Sequence, residues 1–137
     1  MVVFQDKFEI STSKRRELVD VTNKVESIVA KSKIKNGICV VFVPHATAAV
    51  MLNENERGLV SDIINKVEKD FPAGAGYRHD RIDDNADSHL ASAFIGQSKT
   101  LPVNGGQLIR GTWQQVFVLE ADGPRSSRRV VVTVIGE

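Results

Sequence analysis

The chain contains 137 residues, of which 42% are apolar and 26% are charged, values typical of a globular protein. Its 18 Lys and Arg residues and 17 Asp and Glu residues leave a net charge of +1, which argues against a nucleic-acid-binding protein that relies on bulk positive charge. No apolar run approaches the roughly 18 residues of a membrane-spanning helix, and charged residues interrupt the N-terminal segment where a signal peptide needs an apolar core. These features predict one cytoplasmic domain, residues 1–137, without a nucleic-acid or membrane partner.

The first part of the chain, up to residue 43, predicts two strands separated by a helix. Residues 4–10 alternate between apolar and polar side chains, which is typical of a strand with one solvated face. Apolar residues recur at helical spacing over residues 21–29, which predicts the helix. The apolar run 38–43 predicts a central strand, in which Cys39 is a buried, inert thiol. Since Cys39 is the single cysteine, an internal disulfide and a multi-cysteine zinc site are excluded.

The second half predicts two more helices and two hairpins. The helices are expected over about residues 57–70 and 84–96. One hairpin is expected over residues 99–109, around an Asn-Gly-Gly turn, and the other joins strands 113–119 and 129–135. Four of these residues are expected to be apolar core positions: Leu90, Ala93, Phe94 and Trp113. Together the elements predict an α+β fold, in which a mostly antiparallel β-sandwich carries two to three helices.

The three histidines, His45, His79 and His89, all lie outside the apolar runs. Imidazole binds zinc, copper, iron and nickel, and three imidazoles leave a position open for water or substrate. The spacing matches no short metal motif, so isolated surface or hydrogen-bonded histidines are the alternative. Asn85 precedes His89 by one helical turn, which places both side chains on one helix face.

Two polar segments offer further chemistry. Glu54 follows a further predicted strand, the small and apolar stretch 46–52, and a partly buried carboxylate there can act as a general base. The alternative is a solvated helix N-terminus, which favours acidic side chains. Arg125, Ser126 and Arg128 cluster in the loop before the last strand, and arginines with hydroxyl and backbone N–H groups can bind a phosphate. The alternative there is a surface turn whose arginines keep a sheet edge soluble.

Five short stretches occur in order along the chain: residues 44–48 (PHATA), 53–55 (NEN), 84–90 (DNADSHL), 111–114 (GTWQ) and 120–125 (EADGPR). Each stretch alone is weakly specific, but the set resembles the YjbQ family of small bacterial and archaeal proteins over nearly the whole chain. One departure is Ala46, where the family commonly has Thr after the histidine, so a hydroxyl beside His45 is missing.

The resemblance implies a homotrimer with a β-sandwich or jelly-roll-like core and a polar pocket. In that pocket the three histidines approach one another, and zinc or a similar divalent metal is a plausible occupant. The resemblance and the residue chemistry together define three groups of candidates: His45, Glu54 and Asn85 for catalysis; Thr47, Arg125, Ser126 and Arg128 for an anion or substrate; and His45, His79 and His89 for a metal.

The family is labelled secondary thiamine-phosphate synthase, which implies an enzyme that joins hydroxymethylpyrimidine diphosphate to a thiazole phosphate and releases pyrophosphate. A leaving pyrophosphate is stabilised by arginine and by a divalent cation such as magnesium. Three histidines, in contrast, suit a transition metal that activates water. Two alternatives therefore stay open: a metal-dependent hydrolase, and a non-catalytic trimer that binds a metal or a phosphorylated metabolite. A small phosphorylated metabolite is the expected partner.

Overall fold

The computed structural model describes all 137 residues and contains eight strands, three α-helices and a short 3-10 helix. All strand pairs are antiparallel, which confirms the predicted α+β fold with a mostly antiparallel sheet. None of the helices has both the length and the apolarity needed to cross a membrane. In chain order the elements are β1 (Val2–Ile10), β2 (Glu17–Asp20), α1 (Thr22–Ser32), β3 (Asn36–Phe42), β4 (Ala48–Asn53), α2 (Arg57–Asp70), the 3-10 helix (Arg78–Arg81), α3 (Ala86–Ile95), β5 (Ser98–Asn104), β6 (Gln107–Leu108), β7 (Gln115–Glu120) and β8 (Arg128–Gly136).

Two curved sheets and α1 enclose the main apolar core. The larger sheet has the strand order β1-β8-β3-β5-β6, and the smaller has the order β2-β7-β4. Val25 of α1 is buried together with Val41 and Val132 of the larger sheet and Val118 of the smaller one. Alternate residues of β3 and β8 face this core, as the two-residue period of a strand requires. Cys39 of β3 is fully buried there, and its burial raises the thiol pKa to about 11.

The smaller sheet forms the middle layer of the molecule, because helices cover its second face. Val116 and Val118 of β7 face the main core. Leu119 faces the other way and packs with Val67 of α2 and Ala91 of α3 in a second cluster. Burial on both faces explains why β7 is apolar at successive positions and not at alternate ones.

The predicted hairpin between strands 113–119 and 129–135 is wrong. Both strands form, as β7 and β8, but they lie in different sheets, and the intervening loop crosses from one sheet to the other. The crossing brings Gly123 so close to the main chain of Lys14 that a Cβ atom would collide with the Lys14 carbonyl oxygen. Hydrophobic periodicity identifies a strand, but it does not identify the sheet that the strand joins.

Three of the four predicted apolar core positions are wrong: Ala93, Phe94 and Trp113 are exposed, whereas Leu90 is half-buried. Phe94 is 78% exposed, and α3 buries Asp87, Ser88 and Ser92 together with two alanines, Ala86 and Ala91. Both serines donate hydrogen bonds to main-chain carbonyls of the segments beneath, so a polar helix face packs closely on the smaller sheet. Trp113 lies in the turn before β7, where it is 69% exposed.

Candidate functional site

Hydrogen bonds join polar residues of the loop after β7, α3 and the 3-10 helix. Arg125 donates from Nη2 to Oδ2 of Asp122 at 3.1 Å. The same oxygen accepts a hydrogen bond of 2.9 Å from Nδ2 of Asn85, whose Oδ1 lies 3.1 Å from Nε2 of His79. The rings of His79 and His89 meet edge to face, with their centroids 4.7 Å apart. Four predicted site residues therefore lie together in one chain, linked by a carboxylate that the sequence analysis did not single out.

The orientation of Asn85 determines which nitrogen of His79 carries the proton. A carboxylate such as that of Asp122 can only accept, so the amide nitrogen of Asn85 faces it and the amide oxygen faces His79. That oxygen can also only accept, so Nε2 of His79 donates. In the neutral ring the lone pair is then on Nδ1, which is the nitrogen available to a proton or a metal ion.

Arg15 lies on the other side of the same carboxylate. Its Nη1 and Nη2 atoms donate to the two oxygens of Asp87 at 2.9 and 3.2 Å, and Nη2 lies 4.0 Å from Oδ1 of Asp122. The side chains of Arg15 and Arg125 stay 40% and 44% exposed. Arg16 also binds Asp87, so three guanidinium groups share two carboxylates, and Glu68 adds a further negative charge beside Arg15 and Arg16.

Asp87 holds the two neighbouring arginines from a buried position. Burial by itself would raise its pKa, but the hydrogen bond and charge of Arg15 and the charge of Arg16 outweigh burial and keep the pKa below its usual value. Asp87 therefore remains ionised at neutral pH, which fixes the position of the Arg15 side chain.

Main-chain contacts fix the spacing between the two exposed arginines. The N–H of Thr12 donates to the carbonyl of Arg125 at 2.8 Å, and the N–H of Gly123 donates to the carbonyl of Arg15 at 2.9 Å. The loop after β7 and the segment before β2 are thus bonded to each other at two positions that follow Asp122. Ser126, predicted to bind an anion with Arg125, is exposed next to it.

Arg128, predicted to bind an anion, is buried in an ion pair. Its Nε atom donates to Glu120 at 2.9 Å, and its Nη2 atom donates to Glu120 and to the hydroxyl of Thr47. Arg128 is 2% exposed and Glu120 is fully buried. Thr12 donates to the same carboxylate, and its hydroxyl accepts from the N–H of Arg125. Because these polar groups bond to each other inside the protein, Arg128 and Thr47 position the loop in this structure, and their role in anion binding stays a prediction.

His45 lies near the start of β8, where its Nε2 atom accepts a hydrogen bond of 2.8 Å from the N–H of Arg129. Its partial burial and the positive charge of Arg128 lower its pKa, which favours the neutral ring that this hydrogen bond requires. With Nε2 occupied, the proton of His45 is on Nδ1.

The structure does not assemble the predicted three-histidine site within one chain. No three His, Cys, Asp or Glu side chains are grouped so that they could hold a metal ion. His79 and His89 are neighbours, whereas the Nε2 lone pair of His45 is engaged by the main chain. The three-histidine metal site therefore stays a prediction, and its residues fit a metal together only if they rearrange or if a second chain contributes.

Glu54 is separated from the other candidate catalytic residues along the length of β4. Ala48 at the start of β4 pairs with Glu120, next to the cluster, while Asn53 at its end pairs with Gln115. At a rise of about 3.4 Å per residue, Glu54 lies roughly 20 Å along the strand direction from Ala48. A pocket that contains both Glu54 and Asn85 would therefore require a second chain.

A cavity of about 460 Å³ adjoins the histidine pair. This volume is within the range of small-molecule sites, about 300–1,000 Å³. Its wall combines aromatic, cationic and apolar side chains, from Tyr77, Arg78, His79, Ala86, His89 and Leu90. The cavity therefore offers a ligand two imidazole rings and one guanidinium group, that of Arg78.

Comparison with known proteins identifies the family. A family model described as "UPF0047 protein YjbQ-like" matches residues 6–137. The chain belongs to the YjbQ-like family. A UPF0047 protein of Archaeoglobus fulgidus is 46% identical over 126 residues, which cover 92% of this chain and 97% of that protein. A UPF0047 protein of Methanothermobacter thermautotrophicus is 45% identical over 137 residues, covering 100% of this chain and 95% of the relative.

Solved structures of YjbQ-like proteins share the fold. The crystal structure of a protein of unknown function from Sulfolobus solfataricus has a TM-score of 0.98 at 48% identity, and covers 99% of both chains. An uncharacterised YjbQ/UPF0047 protein from Clostridium acetobutylicum has a TM-score of 0.90 at 34% identity, and covers 95% of this chain and 99% of that one. These matches support the family fold and leave the activity of the YjbQ-like chain to be inferred from its site.

Proposed function

We propose that this YjbQ-like protein is an enzyme that acts on phosphorylated small molecules, and that Arg15 and Arg125 bind the phosphoryl group. The observation that carries the proposal is the pair of half-exposed guanidinium groups on either side of Asp122. Asp122 and Asp87 hold these groups in place, and both guanidinium groups stay 40–44% exposed to a ligand from solvent. Arginine forms strong charge-assisted hydrogen bonds with phosphate oxygens.

The reaction that we propose is the formation of thiamine phosphate. The bond between the methylene carbon of hydroxymethylpyrimidine diphosphate and its diphosphate oxygen breaks, the thiazole nitrogen bonds to that carbon, and pyrophosphate leaves. Negative charge develops on the leaving group, where Arg15 and Arg125 would stabilise it. Asn85 orients His79 beside this region. Glu54 and His45 take part in this proposal only if a second chain brings them to the pocket.

The test is a turnover assay with both phosphorylated substrates. Pyrophosphate release that requires both substrates is expected from the wild type, and Arg125→Gln should lower kcat/KM by about 10²–10³-fold. Arg129→Gln is the matched control, because Arg129 is exposed nearby and its only contact with the site is through its main chain. Binding without turnover would instead support the non-catalytic alternative. Equal rates for wild type and Arg125→Gln would contradict the role of Arg125.

A metal-dependent hydrolase is the second candidate, favoured by the free Nδ1 of His79 next to His89. A transition metal bound there, zinc or a similar ion, would supply an activated water for hydrolysis. Elemental analysis after dialysis against Zn²⁺ tests this candidate. About one metal ion per chain, lost in His89→Ala, would support it; additional loss in His45→Ala would indicate the three-histidine site. Magnesium has less support, because Asp87 and Asp122 already bind arginines.

We also propose that the chain forms the homotrimer that the family resemblance implies, through the outer face of the larger sheet. Val3, Ile38 and Phe42 are 65%, 43% and 41% exposed in the single chain. Ile38 lies directly between Ile135 of β8 and Pro102 of β5 on the same face, so the apolar side chains are contiguous across the sheet. Contiguous apolar surface of this kind is typical of subunit interfaces.

A further inference from the structure

A second polar cavity lies between α2 and the segment that leads into β2. Its volume is about 390 Å³. From α2 it takes Arg57, Ser61 and Asn65, which are four residues apart and therefore lie on one face of the helix. At a rise of about 1.5 Å per residue, this polar row extends over roughly 12 Å. Apolar side chains complete the wall: Leu18, Val60 and Ile64.

The charged groups of this cavity are predominantly cationic. Lys14 and Arg57 are both exposed at its rim, and Arg16 forms part of its wall. The side chain of Arg16 is only 4% exposed, and its Nε atom has no hydrogen-bond partner. Glu17 is the single acidic residue, and its carboxylate already accepts main-chain N–H groups of the preceding turn at 2.6 and 3.2 Å. Cationic hydrogen-bond donors thus outnumber acidic acceptors in this cavity, as they do in a site that binds an oxyanion.

Arg16 connects this cavity to the exposed arginines of the candidate site. It also lines an adjacent cavity of about 360 Å³, together with Arg15 and Asp87. Both arginines bind the buried Asp87 carboxylate, so one ion-pair network borders both cavities. A ligand in either cavity therefore contacts a residue whose position depends on the same carboxylate.

We propose that the cavity between α2 and the segment before β2 is a second anion subsite, which binds a second phosphoryl group. Lys14 and Arg57 would bind its oxygens through charge-assisted hydrogen bonds, and Ser61 and Asn65 would add neutral ones. The inference rests on the proposed function for the substrate class, because a reaction that joins two phosphorylated molecules must hold two phosphoryl groups in one protein. The apolar wall suits the carbon part of such a substrate.

The experiment is calorimetric titration with inorganic phosphate at constant ionic strength, with acetate as the comparison anion. We expect two phosphate sites per chain in the wild type and no comparable binding of acetate. Lys14→Gln and Arg57→Gln should each weaken one of these sites by about tenfold or more, since each removes a charge-assisted hydrogen bond to the anion. Lys69→Gln is the matched control, because Lys69 lies on α2 outside the cavity.

Arg125→Gln distinguishes this subsite from the proposed catalytic site. It should weaken the other phosphate site and leave the α2 subsite intact. Unchanged phosphate binding in both Lys14→Gln and Arg57→Gln would overturn the subsite, whatever Arg125→Gln does. If Arg125→Gln binds phosphate like the wild type while Lys14→Gln and Arg57→Gln bind it more weakly, the subsite stands and the proposed role of Arg125 fails. Thermal melting of each variant confirms that the changes at these exposed positions leave the fold intact.

Discussion

Asn85 donates a hydrogen bond of 2.9 Å from its amide nitrogen to the carboxylate of Asp122. This contact connects the two halves of the candidate site, since Asp122 also binds Arg125 and Asn85 also binds His79. One carboxylate therefore positions both the guanidinium group that would face a phosphoryl group and the imidazole that would exchange a proton. Asp122 acts through its neighbours and is best described as a positioning residue.

The Asp122→Asn substitution should change the tautomer of His79. In the wild type the amide of Asn85 has one permitted orientation, so the neutral His79 ring carries its proton on Nε2. Asn at position 122 can face Asn85 with either amide atom, so a mixture of tautomers is expected. The ¹⁵N chemical shifts of the His79 ring measure this directly. A wild-type ring protonated mainly on Nδ1 would contradict the assignment.

Removing one partner of the buried ion pair should strongly destabilise the fold. Arg128→Met leaves the Glu120 carboxylate buried without its arginine, and such a loss costs about 3–5 kcal/mol. The double variant Glu120→Gln with Arg128→Met should be more stable than Arg128→Met alone, because no unpaired charge remains. Urea unfolding gives the free energies, with Arg129→Met as the exposed control expected within about 0.5 kcal/mol of the wild type. A loss below about 1 kcal/mol in Arg128→Met would show that the pair contributes little.

Stability should fall in acid through Asp87 and Glu120. Burial would raise the pKa of both groups, but the hydrogen bonds and charges of their arginine partners keep each pKa below its usual value. Both groups hold their protons less tightly in the folded state than in the unfolded state. Their contribution to the free energy of unfolding is therefore complete above the unfolded pKa, about pH 4. It is lost as the pH falls through the folded pKa. Urea unfolding at pH 7 and pH 3 measures the loss. Asp87→Asn should be less stable than the wild type at pH 7 and should lose less between the two pH values; an equal loss would contradict the role of Asp87.

A charge on the outer face of the larger sheet should prevent assembly. Ile38 is 43% exposed in the single chain, so Ile38→Lys disturbs no internal packing but places a charge at the centre of the proposed interface. Light scattering coupled to size exclusion should give the mass of a trimer for the wild type and of a monomer for the variant. Ile82→Lys is the control, because Ile82 is 81% exposed outside this sheet and its substitution should leave the trimer intact. A monomeric wild type would refute the proposed assembly.

The sequence predicts those elements whose residues have one dominant environment. The helix expected over 57–70 is observed as α2 (Arg57–Asp70), and the central strand is observed as β3, because each shows a clear apolar period or run. The inward face of α3 escapes prediction, since Ser88 and Ser92 are buried there through hydrogen bonds to main-chain carbonyls. Such bonds depend on tertiary neighbours that a local pattern does not contain.

The candidate site is likewise predicted in part and missed in part. Asn85, His79, His89 and Arg125 are predicted by residue type and by the family resemblance, and the structure places them together. Arg15 is missed because it lies in a polar stretch that local sequence marks only as a break between elements. The buried ion pair of Arg128 is not predicted, for a geometric reason. Arg128 is the first residue of β8 and lies two residues before buried Val130, so its side chain is on the inward-facing side of the strand.

Binding of pyrophosphate to the intact protein is the most direct test of the central claim, that Arg15 and Arg125 form an anion site around Asp122. Calorimetry should detect binding to the wild type, a loss of affinity of about tenfold or more in Arg125→Gln, and wild-type affinity in Arg129→Gln. Pyrophosphate that fails to bind, or that binds Arg125→Gln as tightly as the wild type, would contradict the claim.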